Sequence, residues 1–203
     1  MEAPAPLRKS LALVCCDIVG STRLIARVGD LVASAVFREF IEHADRLGRQ
    51  HHSVMIKFLG DGFLAAFENM GDVMPFLISI ESLSLLPQNS TLIGRVEGFQ
   101  LTGRLEGFRF SLHYGSVLYI ETSYGSDVLG EDVNVAAHLS EIAHPNELVI
   151  SQAALARMPA DYQFHAGASE VHPFKRVGDV EFRRVKLLDE NPFFRLARGF
   201  QRT

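Results

Sequence analysis

Apolar residues follow two different spacings along the first third of the chain. A nearly continuous apolar run over residues 11–18 predicts a strand that is buried on both faces. Over residues 21–47 the apolar positions recur at steps of three and four, which predicts a long amphipathic helix with Gly29 as a weak point. Residues 54–58 and 63–67 predict two strands joined by the turn sequence LGDG, so a β-hairpin follows the helix.

The rest of the chain alternates helical and strand patterns. Helices are predicted over residues 72–86, 130–143 and 152–158, and strands over 109–112, 116–120, 147–151 and 180–187, with a turn at the sequence HYG between the first two of these strands. The order of strand, helix, hairpin, helix, two strands, helix and strand predicts an α+β fold. In such a fold we expect the helices to pack on one face of a single sheet.

A near-repeat interrupts this pattern before the middle of the chain. The segment GRVEGF at residues 94–99 returns as GRLEGF at 103–108. It predicts a two-stranded ribbon or a flexible arm, because a solenoid needs several repeats. We therefore expect an N-terminal extension over residues 1–10, one domain over 11–188 that includes an atypical ribbon or arm over 88–108, and a C-terminal tail over 189–203.

The composition excludes several classes of function. A chain of 203 residues is the size of one domain, and its 20 Lys and Arg against 24 Asp and Glu lack the basic field that binding to a nucleic acid polymer requires. No apolar run reaches the roughly 20 residues of a membrane span. The N-terminus lacks a signal-peptide pattern, so we expect a cytoplasmic protein in which the adjacent Cys15 and Cys16 are reduced packing residues.

A candidate phosphate site lies where the first predicted strand meets the first helix. Asp17 ends the strand, and Gly20, Ser21 and Thr22 begin the helix, whose unpaired main-chain N–H groups favour a phosphate. A carboxylate beside a phosphate is repelled unless a divalent cation lies between them, so this pairing implies Mg²⁺ or Mn²⁺. The alternative interpretation makes Asp17 an ordinary helix-capping residue.

A second carboxylate, Asp61, lies at the tip of the predicted hairpin. Turn chemistry alone explains an Asp-Gly pair at such a tip. If the hairpin pairs beside the first strand, however, Asp61 comes close to Asp17. Two converging carboxylates beside a phosphate site can hold two metal ions for an in-line attack on phosphorus. The same pair could equally activate water, so a two-metal phosphohydrolase stays an alternative.

Three segments together resemble a known family. DIVGST at residues 17–22, KFLGDG at 57–62 and LGEDVNVAAHL at 129–139, in this order and at these separations, resemble the catalytic domains of class III nucleotidyl cyclases. The resemblance extends over about residues 11–187. It implies a ferredoxin-like βαββαβ core and a homodimer whose active sites lie between the two subunits. It also implies conversion of a nucleoside triphosphate to a 3′,5′-cyclic nucleotide and pyrophosphate.

The resemblance assigns roles to residues near the first strand. Asp17 and Asp61 match the pair that holds two Mg²⁺ or Mn²⁺ ions in each active site, with the Ile18 carbonyl as an extra ligand. The family's phosphate-binding backbone corresponds to Val19, Gly20, Ser21 and Thr22.

The resemblance also assigns residues that bind the nucleoside. Lys57 and Asp127 match the pair that reads the base, and Asn134 matches the asparagine that positions the ribose. A lysine donor and an aspartate acceptor suit adenine, which suggests ATP, but cytosine presents the same pattern. Small pyrimidine cyclases of anti-phage signalling, which use UTP or CTP, are therefore an alternative. Taken alone, Lys57 could extend to solvent, Asp127 could be a loop residue, and Asn134 could be a satisfied polar group in a packed helix.

One position departs from the family pattern. His138 stands where the family has an arginine that stabilises charge on the transferring phosphoryl group. Histidine is shorter and only partly protonated near neutral pH. Either another cation such as Arg23, Arg95 or Arg104 replaces the arginine, or His138 acts as an imidazolium, or the domain is a catalytically weak or inactive binding module.

Overall fold

The computed structural model describes residues 5–85, 91–96, 99–104, 106–123, 125–163 and 166–187. The strands are β1 (Leu7–Ile18), β2 (Met55–Leu59), β3 (Gly62–Phe67), β4 (Thr91–Val96), β5 (Phe99–Arg104), β6 (Phe108–Thr122), β7 (Gly125–Leu129), β8 (Glu147–Ser151), β9 (Ser169–Phe174) and β10 (Gly178–Lys186). The helices are α1 (Ser21–Val28), α2 (Asp30–Gln50), α3 (Met70–Leu85), α4 (Glu131–Glu141), α5 (Gln152–Leu155) and α6 (Ala160–Gln163). The predicted tail over 189–203 lies outside the described residues.

The main sheet is built around β1 and β6. Its strand order is β2-β3-β1-β6-β8-β10-β9, and β7 pairs with β6 beyond the end of β8. β1 runs antiparallel to both β3 and β6, and its pairing with β6 extends over the whole strand, from Leu7 to Ile18. A strand with a partner on each side and helices on both faces can be apolar at nearly every position. The predicted buried strand is therefore confirmed, although it begins at Leu7 rather than at residue 11.

Alternate residues of β1 face two separate cores. Val14 and Ile18 belong to a core with apolar residues of α1, α2, α3 and α5. Leu11 and Leu13 belong to a smaller core on the other face, where Ala136 of α4 packs. The predicted α+β fold is confirmed, and the expected one-sided packing holds for four of these five helices. The exception, α4, carries the asparagine and histidine of the sequence motif, so these two residues belong to the second face.

The two cysteines of β1 follow the same alternation. Cys15 and Cys16 are both free and buried, on opposite faces of the strand. Burial raises the pKa of the Cys15 thiol to about 12 and raises that of Cys16 as well. Both side chains are therefore neutral packing groups, as the sequence predicts.

Three local predictions differ from the structure. The long helix is divided at Gly29, whose φ of 79° ends α1 and begins α2. The two strands predicted on either side of HYG are one continuous strand, β6, because this segment stays paired with β1 through Gly115. β7 and β9 were not predicted; β9 is exposed along nearly its whole length and lacks an apolar pattern. In the segment that contains the near-repeat, residues 91–96 and 99–104 form the two paired strands β4 and β5.

No helix in the described ranges combines the length and apolar character that crossing a membrane requires.

The contact between β1 and β3 depends on a glycine. A Cβ atom added to Gly62 would lie 2.2 Å from the Cys16 carbonyl oxygen, which is main chain and part of the central strand. We expect Gly62→Ala to lower the free energy of unfolding by about 2–3 kcal/mol, because neither backbone can move without breaking the pairing. Chemical denaturation measures this difference.

Gly71→Ala in α3 is the matched control. Its Cβ would meet only the Asn69 side chain, at 3.3 Å, and alanine favours the helix. We expect the control to be as stable as the wild-type protein or more so. Equal stability of the Gly62→Ala variant and the wild-type protein would contradict the close approach of β1 and β3.

Candidate active site

The strand pairing places Asp17 between two neighbours. Asp17 lies opposite Gly62 of β3 and opposite Arg109 of β6. Because side chains alternate along a strand, Asp17 points to the same face as Leu13 and Cys15, the face on which α4 packs. The guanidinium group of Arg109 donates a hydrogen bond to the Asp17 carboxylate and forms an ion pair with it.

Asp61 lies beside Asp17, as predicted for a hairpin that pairs with the first strand. It occupies the turn between β2 and β3, and its carbonyl oxygen accepts a hydrogen bond from the Ile18 N–H at 3.3 Å. Burial raises the pKa of Asp17, and the negative charge of Asp61 raises it further, while the bond from Arg109 opposes both effects. The two negative charges repel each other, so a positive charge nearby would stabilise the pair.

The N-terminus of α1 forms one wall of a cavity next to these carboxylates. Gly20 precedes the helix with a φ of 74°, and no side chain caps the first turn, so the main-chain N–H groups of that turn face outward. The Val19 N–H is already bound to the Gly107 carbonyl oxygen at 3.0 Å. The cavity has a volume of about 380 Å³ and is lined by Ile18, Val19, Gly20, Ser21, Thr22, Arg23, Arg109 and Pro145.

Arg109 is a site residue that the sequence analysis missed. It lines the cavity, its side chain is 35% exposed, and its guanidinium group brings a permanent positive charge to the cavity wall. The signal was present in the strand FRFSLH. Arg109, Ser111 and His113 alternate with apolar residues and so form a polar stripe on one face of an apolar strand.

A second arginine lies at the edge of the same cavity. Arg23 of α1 forms an ion pair with Glu106, and both side chains are largely exposed. Arg95 and Arg104, the other cations considered from the sequence, lie in β4 and β5. Arg23 lines the cavity.

Lys57 and Asp127 meet at a different cavity. Lys57 of β2 donates a hydrogen bond to the Asp127 carboxylate at 2.7 Å, and both side chains are partly exposed. Asp127 lies in β7 rather than in a loop, and its second carboxylate oxygen accepts the Val128 N–H at 2.9 Å. This cavity also has a volume of about 380 Å³ and is lined by Val54, Met55, Ile56, Lys57, Thr122, Gly125, Ser126 and Asp127.

Asn134 and His138 lie one helical turn apart on α4. Asn134 is exposed. His138 is held by its own chain, because its ring stacks on that of Phe174 at a centroid distance of 5.4 Å and its Nδ1 lies 3.2 Å from the Glu141 carboxylate. The sequence predicts these residues as part of the site, and the structure brings neither of them to the wall of either cavity.

The donor atoms near Asp17 fit a hard divalent cation. Carboxylate and carbonyl oxygens, which Asp17, Asp61 and Ile18 can supply, are the ligands that Mg²⁺ and Mn²⁺ prefer. Within the part of the chain that the structure describes, no group of three or more His, Cys, Asp or Glu residues could hold a metal ion. Such a cation would therefore complete its coordination with phosphate oxygens and water, as Mg²⁺ commonly does at nucleotide sites.

Comparisons with solved structures show the same fold. The chain aligns with the guanylyl cyclase Cya2 at a TM-score of 0.71 and 17% identity, over 92% of this chain and 97% of the other. The adenylyl cyclase CyaB from P. aeruginosa aligns at 0.68 and 16%, over 93% and 99%. The guanylate cyclase domain of RhGC from Catenaria anguillulae, solved in complex with GTP, aligns at 0.69 and 13%, over 89% and 98%.

Among curated protein sequences, none matches this chain. A family model does match it: the model of the adenylate and guanylate cyclase catalytic domain covers residues 4–178. This match covers every candidate residue described above, from Asp17 to His138. The class III resemblance of the sequence is thus confirmed, and the chain belongs to the family of adenylate and guanylate cyclase catalytic domains.

Proposed function

We propose that this chain is an active nucleotidyl cyclase, which converts a nucleoside triphosphate to a 3′,5′-cyclic nucleotide and pyrophosphate. One observation carries the proposal: Arg109 and the N-terminus of α1 line a cavity, and Arg109 also binds Asp17, whose carboxylate senses the negative charge of Asp61. Negative groups that hold metal ions and positive groups that bind phosphate thus lie side by side. A triphosphate accompanied by divalent cations complements both.

The carboxylates and the cavity have separate tasks in this reaction. Asp17 and Asp61, with the Ile18 carbonyl, would hold two Mg²⁺ or Mn²⁺ ions, which lower the pKa of the ribose 3′-hydroxyl and neutralise the triphosphate. The 3′-oxygen attacks the α-phosphorus, the bond from that phosphorus to the pyrophosphate oxygen breaks, and the hydroxyl proton passes to solvent. Main-chain N–H groups of the first turn of α1, at Ser21 and Thr22, and the Arg109 guanidinium bind the phosphate oxygens.

The second cavity provides base recognition. Lys57 and Asp127 bind each other at 2.7 Å and would exchange this contact for a base that offers an acceptor next to an amine donor. Adenine fits this description, so we propose ATP as the substrate. CTP offers the same pair of groups, and the substrate assay below separates the two.

The two cavities support a composite site in a homodimer. They share no lining residue, so within one chain the base-binding groups and the phosphate-binding groups line two different cavities. A single nucleoside triphosphate needs both at once. We propose that Asp17 and Asp61 of one subunit act together with Lys57, Asp127 and Asn134 of the other.

Arg109 is the better candidate than His138 for the missing positive charge. The His138 ring is occupied by Phe174 and Glu141 of the same chain, whereas the Arg109 side chain lines the phosphate cavity. Arginine is also always charged and offers two donors to a phosphate group. We therefore propose that Arg109 stabilises the charge of the triphosphate and that His138 is dispensable.

The substrate is tested with purified protein, Mn²⁺ and each of ATP, GTP, CTP and UTP. We expect a cyclic nucleotide and an equal amount of pyrophosphate, with ATP as the best substrate. Asp17→Asn should lower kcat about 1000-fold, because the metal-binding carboxylate is lost, while Asp179→Asn on the distant β10 should leave it unchanged. Products are measured by chromatography.

Each outcome has a defined meaning in this assay. Release of inorganic phosphate in place of pyrophosphate would point to the phosphohydrolase alternative. Preference for UTP or CTP would show that the base assignment is wrong and favour a pyrimidine cyclase. If the folded protein formed no product from any of the four nucleotides, the proposed enzymatic activity would be wrong. The chain would then be interpreted as a binding module.

The roles of Arg109 and His138 are separated by two variants. We expect Arg109→Ala to lower kcat/KM at least about 100-fold, since a charge-stabilising group is removed from the phosphate cavity. His138→Ala should change kcat/KM less than about tenfold. Steady-state kinetics with the best nucleotide measures both, and an equal loss in the two variants would show that His138 belongs to the working site.

The composite site is tested by mixing two inactive variants. Asp61→Asn disables the half that holds metal, and Asn134→Ala disables the half that holds ribose. A random mixture in equal amounts contains one intact site in each heterodimer, so activity should return to about a quarter of the wild-type value. The mixture is compared with each variant alone. Activity no higher than their average would show that the halves come from the same chain.

A further inference from the structure

A buried histidine on β6 connects three elements of the fold. The side chain of His113 is 8% exposed. Its Nδ1 lies 2.8 Å from Ser151 Oγ, and its Nε2 lies 2.9 Å from Asp132 Oδ1. Ser151 Oγ already accepts the Ala154 N–H at 3.1 Å, so its own proton is available to Nδ1. This pattern leaves the imidazole N–H at Nε2, where it donates to the Asp132 carboxylate.

Asp132 lies in the first turn of α4. Its other oxygen, Oδ2, accepts the Ser116 N–H at 2.6 Å. The carboxylate occupies the space that Gly115 leaves open, since a Cβ there would lie 2.2 Å from Asp132 Cγ. The residue before the helix, Gly130, provides no side-chain cap. His113, the Ser116 amide and the gap at Gly115 therefore hold this turn against β6.

The first turn of α4, which these contacts hold against β6, also carries Asn134. Asn134 follows Asp132 by two residues, which places the two side chains about 200° apart around the helix. Asp132 faces β6, and Asn134 is exposed on the other side. Any rotation or shift of the turn at Asp132 is therefore passed directly to Asn134. A displacement of about 1 Å at a substrate-positioning residue can cost about 100-fold in rate.

We infer that His113 is a positioning residue that acts through Asp132 to fix where α4 presents Asn134 to the nucleotide. The inference rests on the proposed function, because it assigns Asn134 to a working site. His113 serves the half of the molecule that binds ribose. Arg109, four residues earlier on the same strand, serves the half that binds metal.

Two substitutions of similar size separate the two bonds of His113. Glutamine can place an amide N–H near the position of Nε2 and keep the bond to Asp132, while asparagine reaches only as far as Nδ1 and Ser151. We expect His113→Asn to lower kcat about 100-fold with little change in KM, and His113→Gln to stay within about tenfold of the wild-type kcat. Thermal unfolding of both variants checks that they fold.

A matched control removes another polar contact between β6 and α4. Ser111 donates to the Ala136 carbonyl oxygen at 2.6 Å, beyond the first turn of the helix. If any loss of a β6–α4 bond lowered activity, Ser111→Ala would resemble His113→Asn. We expect Ser111→Ala to keep the wild-type kcat within about threefold, because this bond does not hold the turn that carries Asn134.

Mixing experiments show which half His113 serves. His113→Asn mixed with Asp61→Asn should regain about a quarter of the wild-type activity, because each heterodimer then has one intact site. His113→Asn mixed with Asn134→Ala should regain none, because both defects lie in the same half. The reverse result would assign His113 to the metal-binding half and overturn the inference.

Amide hydrogen exchange provides a readout that does not depend on activity. Residues 131–136 should exchange faster in His113→Asn than in His113→Gln, since only the second variant keeps the turn in place. Equal exchange in both would overturn the inference, whatever the kinetics. Failure of the mixture of Asp61→Asn with Asn134→Ala would instead overturn the composite site, so the two failures are distinguishable.

Discussion

The polar stripe on β6 is the constraint on which the two halves of the candidate site depend. Arg109, Ser111 and His113 occupy alternate positions at the start of β6, where the residues between them are apolar, and each reaches a different target. Arg109 binds the Asp17 carboxylate, Ser111 binds the Ala136 carbonyl oxygen of α4, and His113 binds Asp132 in the first turn of α4. Through Arg109 and His113, one face of one strand therefore sets the position of the first carboxylate and of the turn that carries Asn134. The opposite face of the same strand supplies Phe108, Phe110 and Leu112 to the main core.

The polar stripe fixes one position of α4 on β6, and this effect is larger than its net contribution to the free energy of unfolding. A buried hydrogen bond contributes only about 1 kcal/mol net, but a buried polar group left without a partner costs about 1–3 kcal/mol. Any shift of α4 along β6 would leave Ser111 and His113 without their partners. The cost of the alternatives thus exceeds the gain of each bond, and α4 has one register on the sheet. The same argument applies to Asp17, whose pKa is already raised by burial and by Asp61 and would rise further without Arg109.

The sequence predicts part of this site and misses the rest for physical reasons. The apolar run before Asp17 and the turn signal around Asp61 are local, so both carboxylates and the start of α1 could be identified from the pattern. The contact between Lys57 and Asp127 joins residues 70 positions apart, and only the family resemblance suggested it. The turn predicted at HYG was wrong because Gly115, a usual turn residue, stands in a strand where it makes room for Asp132. Because of that error, β6 was predicted as two short strands, and the polar stripe that begins at Arg109 was not identified.

The continuity of β6 has a consequence for the proposed dimer. In each chain the strand begins beside Asp17, continues beneath α4 and pairs with β7, which carries Asp127. If the metal-binding carboxylates and the base-binding residues belong to different active sites, then each β6 contributes to both sites of the dimer. A change in the twist of this strand would move Arg109 in one site and Asn134 and Asp127 in the other. The strand is packed on both faces and paired along both edges, so it moves as a rigid element rather than residue by residue. Its rigidity would keep both sites of the dimer in the same geometry.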